Sequence, residues 1–129
     1  YIPEQEKRIF QRFCYSIATR YHCEVLSFDL DLASKNFYSA EIKTEQGRFY
    51  LLENAYYPWI AFAKNLDVTE IEFVESPFNL TDPSVNVLTL PELEQSWHDI
   101  VGELNKAELE QIKYWKPNII GDIIFNFWD

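Results

Sequence analysis

Glycine is scarce in this chain, three residues in 129, and the shortage excludes much chemistry. Phosphate cradles need glycine-rich backbone that can approach an anion closely, and neither a Walker loop nor a dinucleotide fingerprint is present. A Gly-x-Ser-x-Gly nucleophile turn and a His-Glu-x-x-His zinc helix are also missing, so the common hydrolase signatures do not apply. Cysteine is equally sparse. Cys14 and Cys23 lack the short spacing of a zinc or redox pair, and no third cysteine completes a set. Both are expected to be reduced, small core hydrophobes, which suits a cytoplasmic location.

Long apolar runs are absent too. Nothing approaches the length of a membrane span, and the opening residues lack the basic-then-apolar order of a signal peptide. Basic residues are few, 11 against 21 acids, for a formal net charge of -10. Phosphates and anionic lipid surfaces would be repelled by that field, so neither nucleic acid nor membrane is an expected partner. A cationic protein would be drawn in.

What the chain does contain is bulky apolar material: 47% hydrophobic and 17% aromatic residues, too much for a disordered polyelectrolyte. At this length one domain over 1–129 can bury about two-thirds of its unfolded surface, so neither disulfide, metal nor cofactor is needed for folding, and no cofactor is expected.

The periodicity outlines an α+β fold. From Pro3 to Tyr21, Ile9, Phe10, Phe13, Ile17 and Ala18 recur at helical spacing, with charged residues opposite. The period then falls to two: Leu26, Phe28, Leu30 and Leu32 alternate with Ser27, Asp29 and Asp31, and Tyr38, Ala40 and Ile42 with Ser39, Glu41 and Lys43. Glu45, Gln46 and Gly47 offer a tight turn into a returning strand over 48–53. Further strands are expected over 56–63, 68–74 and 85–88, with Pro58 at an edge or a strand start. Helices are expected from Pro91 through Leu104, from Asn105 through Lys116, and over 118–128. In that last helix Ile119, Ile123 and Phe127 form one apolar row and Ile120, Ile124 and Trp128 the next, with Gly121, Asp122 and Asn126 on the remaining face. The architecture expected is an N-terminal helix, an antiparallel meander of about four to six strands, and two to three C-terminal helices packed on one sheet face.

Several residues could carry function. Asp29 and Asp31, on one strand face, would hold carboxylates about 7 Å apart, and Glu41 from the neighbouring strand would make a third ligand for a divalent ion. Alternating solvent-facing acids are the plainer reading of a half-exposed strand. His22 and Cys23 are adjacent and so point to opposite strand faces, which argues against a Cys/His nucleophile pair. His98, one turn from Glu94 on a predicted helix, has the geometry of a general base or of an ordinary surface histidine. Asn79, Leu80 and Thr81 match a glycosylation acceptor, a short and common pattern. The rings of Phe49, Tyr50, Tyr56, Tyr57, Trp59 and Phe62 are chiefly core material, yet alternation must turn some of them outward.

Asp29, Asp31, Glu41, Tyr50, Tyr57 and Trp59 are therefore the expected partner-binding residues: acids for steering, rings for anchoring. The function expected is a small acidic binding module without catalysis, of the inhibitor or immunity type, that blocks a basic protein. The alternative is a small-ligand domain or hydrolase whose carboxylate-lined pocket uses Asp29, Asp31, Glu41 and His98. A third reading is a homodimer formed through an exposed strand or aromatic patch.

Overall fold

The structure, a computed structural model, describes residues 4–67, 70–80, 83–95, 119 and 121–126. Helix α1 (Lys7–Tyr21) opens the fold and turns Phe10, Cys14 and Ile17 inward. It ends where His22 adopts a left-handed φ of 55° and the Cys23 N–H donates to the Ala18 carbonyl at 3.0 Å, a closure that satisfies a terminal carbonyl and sends the chain into the sheet.

Five strands follow in chain order: β1 (Glu24–Asp29), β2 (Phe37–Thr44), β3 (Gly47–Asn54), β4 (Trp59–Leu66) and β5 (Ile71–Val74), each antiparallel to its neighbour. The β2–β3 hairpin turns through Glu45 and Gln46, and Gly47 has a φ of 126°, a conformation that side-chain-bearing residues rarely adopt. Pro58 lies just before β4, where its missing N–H interrupts no ladder.

Strand β6 (Asn86–Val87) departs from the meander. It lies parallel to the start of β4, with the Asn86 N–H donating to Pro58 at 2.7 Å and the Leu88 N–H to Ile60 at 2.8 Å. The chain then enters α2 (Leu90–Glu94) through a capping box: Thr89 Oγ1 accepts from the Glu92 N–H while Glu92 Oε1 accepts from the Thr89 N–H. The helix starts one residue before Pro91 and stops at Glu94, with Gln95 extended. The remainder of the helix expected through Leu104, and the whole of the one from Asn105, fall outside the described residues.

Both faces of the sheet are buried, because alternate residues of β2, β3 and β4 are apolar in both directions. On one face Tyr38, Ala40, Ile42, Phe49, Leu51, Ile60 and Phe62 pack beneath Phe10, Cys14 and Ile17 of α1. On the other, Phe37, Leu52, Ala61, Ala63, Ile71 and Phe73 meet Leu88, Leu93 and Phe125. A single-sided sheet would leave these second-face residues wet; instead, C-terminal elements cover them.

The closing segment is helical over α3 (Gly121–Ile124) alone, shorter than the expected 118–128, although Ile120, Phe127 and Trp128 lie outside the described residues. Its polar row is inverted. Gly121 and Asn126 are buried, and Gly121 is pressed so close to Phe73 that a Cβ there would lie 2.5 Å from Cε2 of the ring. Phe125, which belongs to neither expected apolar row, is fully buried against Phe37 and Phe73. Asparagines hold the segment down. Asn36 and Asn54 side-chain amides both donate to the Ile124 carbonyl, at 3.1 and 2.7 Å, while Asn36 and Asn126 exchange backbone and side-chain bonds. These bonds satisfy the carbonyls and amides that a short helix leaves unpaired.

Candidate functional site

Register places part of the expected site on one face. Ser27 lies opposite Glu41, Glu41 opposite Tyr50, and Asp29 opposite Ser39, so Asp29, Glu41 and Tyr50 share the sheet face away from α1. Asp31 does not join them, because β1 ends at Asp29. An extra residue between Val25 and Ser27 also shifts the register, turning Leu26 out to 36% exposure where simple alternation would bury it.

The acids here are already matched. Lys35 Nζ donates to Asp29 Oδ1 at 2.9 Å and also to the Asp31 carbonyl, while Asp31 Oδ1 accepts the Ala33 N–H at 2.9 Å. Burial pushes the Asp29 carboxyl up, but the Lys35 bond, the Asp31 N–H and the Lys35 charge outweigh it and hold the group below its usual range. Glu41 faces Arg48 at 3.8 Å. Asp29 and Asp31 thus organise the β1–β2 loop around a buried lysine, and no group of three His, Cys, Asp or Glu residues is placed to hold a metal ion among the described residues.

Tyr57 and Trp59 lie in and just after the β3–β4 turn, at the same end of the strands as the β1–β2 loop that carries Asp31, with their rings stacked at 4.5 Å and an interplanar angle of 15°. Asn54 Oδ1 fixes that turn by accepting the Tyr56 and Tyr57 N–H groups at 2.9 and 3.2 Å. Tyr57 is exposed and Trp59 half-buried, so the pair presents one ring face on a rigid base.

The thiols are not poised as nucleophiles. Burial, reinforced by the nearby Glu53 charge, pushes the Cys14 thiol far up, and burial raises Cys23 as well, whereas reactive cysteines have lowered values. His22 serves as the α1 terminator. His98 lies outside the described residues, as does Thr81 of the glycosylation pattern.

Two features escape the sequence reading. Glu53 is 5% exposed, between Tyr38 and Ile60 on the α1 face, and burial pushes its carboxyl up to about 7. The signal was present in alternation: Glu53 follows Phe49 and Leu51 at a spacing of two, so it must point where they point. The other feature is charge segregation. No lysine or arginine occurs between Lys64 and Lys106, and the fold gathers six described acids of that interval at the β5 side of the sheet. Asp67 and Glu70 close the β4–β5 turn with reciprocal backbone bonds of 3.0 and 3.2 Å; Glu72 lies in β5, Glu75 just after it, and Glu92 and Glu94 in α2, all six exposed.

Among the described residues no helix is long and apolar enough to cross a membrane. Comparison with protein-family models, with curated proteins and with solved structures found no match to this chain.

Proposed function

We propose that this protein is a non-catalytic binding module that receives a basic protein partner along its β5 edge. One observation carries the reading: Asp67, Glu70, Glu72, Glu75, Glu92 and Glu94 are exposed together on that side, in an interval of chain without lysine or arginine. A predominantly acidic field of this kind, opposed by exposed Lys64 of β4, raises the encounter rate with a cationic surface and discriminates against acidic ones. Asp29 and Glu41 contribute less steering than their charge suggests, because Lys35 and Arg48 already oppose them. Tyr50, Tyr57 and Trp59 are rings of the type that anchor interfaces, and the Tyr57–Trp59 stack begins the same strand, β4, whose far end borders the acidic edge.

The test is to identify a partner by cross-linking in cells and then to titrate it against purified protein by calorimetry. The proposal expects the triple change Asp67→Lys, Glu70→Lys, Glu72→Lys to weaken binding at least about tenfold, and raising salt from 0.05 to 0.5 M to weaken the wild-type complex similarly. Charge reversal at Asp29, Asp31 and Glu41 should do less. Affinity indifferent to both salt and the β5-edge change would refute the reading, and so would a partner that proves to be a second copy of this chain.

A further inference from the structure

An ionisable group lies under the helix that opens the fold. Glu53 points to the α1 side of the sheet, with Tyr38 and Ile60 as its cross-strand neighbours, in the layer formed with Phe10 and Cys14. Among the described residues no hydrogen bond reaches its carboxylate. Among the described residues the groups around it offer no cation: Cys14 from α1, Tyr38 from β2, and beside Tyr38 the carboxylate of Glu4 and the phenol of Tyr56, with apolar Ile60 on β4. With most of its hydration removed, the carboxyl is favoured over the carboxylate in such surroundings.

What Glu53 adjoins is the attachment of the N-terminal segment. Gln5 is tied to the residues that follow Glu53, its N–H to the Ala55 carbonyl at 2.7 Å and its Nε2 to the Asn54 and Tyr57 carbonyls at 2.7 and 2.8 Å. The Tyr38 hydroxyl completes the strap by donating to the Gln5 carbonyl at 2.7 Å. From α1 itself, the only side-chain hydrogen bond to another element among the described residues runs from the Tyr21 hydroxyl to the Asn79 carbonyl. The helix is otherwise held by apolar packing, while the strands beneath are joined by continuous ladders.

We propose that ionisation of Glu53 unlatches the N-terminal strap and α1 from the sheet, the carboxyl giving its proton to solvent as the two elements detach together and the strands stay paired. Opening completes the hydration of a carboxylate that is only 5% exposed when the latch is shut and relieves its desolvation, so each state of the latch favours one state of the proton. The raised value of about 7 sets the transition at neutral pH. Acidic surroundings keep the latch shut; alkaline ones loosen it and uncover Tyr38 and Cys14.

The fully buried thiol of Cys14 reports opening and the half-buried thiol of Cys23 acts as an internal reference. Labelling of the whole protein with an aromatic disulfide reagent, quantified per site by mass spectrometry, should show the Cys14-to-Cys23 rate ratio rising by more than about tenfold between pH 5 and pH 8. In Glu53→Gln the ratio should stay flat. A flat ratio in the wild type, or an equal rise in the variant, overturns the proposal. If Glu53→Gln does not fold, carboxyl-carbon NMR of the wild type takes its place: the Glu53 titration and the labelling ratio must share one midpoint, and separate midpoints overturn it. Amide exchange at Leu51 and Phe62 must not accelerate in parallel, since that would make the event global unfolding.

Discussion

Replacing Gly121 with alanine tests whether the C-terminal helix presses on the sheet as closely as the structure places it. The added Cβ would lie 2.5 Å from Phe73 Cε2, 2.9 Å from Cζ and 3.1 Å from the Leu93 carbonyl oxygen. Carbon atoms in contact prefer about 3.5 to 4.0 Å, so the ring must retreat by about 1 Å. It has little room, because Phe125 lies behind it at a centroid distance of 6.0 Å and Ala63 is its cross-strand neighbour. Overpacking of this kind costs about 1–3 kcal/mol. Alanine returns at most about 1 kcal/mol of helix propensity, less at the first position of a four-residue helix. The expected net loss is about 1–2 kcal/mol, a fall in Tm of roughly 3–8 °C for a domain of this size. Urea unfolding of Gly121→Ala, Phe73→Leu and the double variant closes the cycle, and leucine in place of the ring should make the double variant at least about 1 kcal/mol more stable than the sum of the two single losses implies. A neutral or stabilising Gly121→Ala, additive with Phe73→Leu, would refute the close approach.

Asn54→Ala removes the acceptor for two turn amides and a donor to the Ile124 carbonyl, and should cost about 2–4 kcal/mol by urea unfolding, more than any one of the three bonds alone. Glu53→Gln should flatten the pH dependence of stability. With the folded value raised from 4.5 to about 7, the native state keeps a proton that the unfolded chain releases, so wild-type stability is fully present below 4.5, falls as pH rises through that window, and levels off above it. The loss is at most about 3 kcal/mol, and Glu53→Gln should therefore be the more stable protein at pH 8; equal pH profiles would count against the buried carboxyl. Gly47→Ala meets no atom within 4 Å but must adopt a φ of 126°, so a destabilisation of about 1–2 kcal/mol by thermal melting is expected from backbone strain alone.

Local rules made much of this fold legible. The spacing of Phe10, Ile17 and their neighbours locates α1, and the alternation of Tyr38, Ala40 and Ile42 with Gly47 beyond them locates the β2–β3 hairpin, because these patterns follow from the geometry of single elements. Where neighbours act, the reading fails. The bulge at Val25 to Ser27 turned Leu26 outward, and nothing in the alternating pattern of β1 announces an extra residue. The parallel return of β6 depends on a crossover, which residue periodicity does not encode. In α3 the expected polar face is the buried one, since Gly121 serves close approach and Asn126 serves backbone pairing, roles set by Phe73 and Asn36 far away in the chain. The candidate site shows the same division. Asp29 and Asp31 were visible as acids, but the lysine that occupies them is apparent only once the loop is folded.

The asparagine clamp has a consequence for how the protein must be made. Its bonds join Asn36 and Asn54 to residues 124 and 126 across sequence separations of 70 to 90 positions, whereas the meander pairs neighbours in the chain. During synthesis the hairpins emerge from the ribosome and can pair early, while Phe37, Leu52 and Phe73 wait for the segment that covers them. Until residues 121–126 clear the exit tunnel, the nascent chain displays a sticky sheet face to everything around it. Translation speed over the last third of the chain, and the chaperones that shield apolar surface, thereby become determinants of yield, and rare-codon slowing in that stretch should raise aggregation without any change to the finished protein.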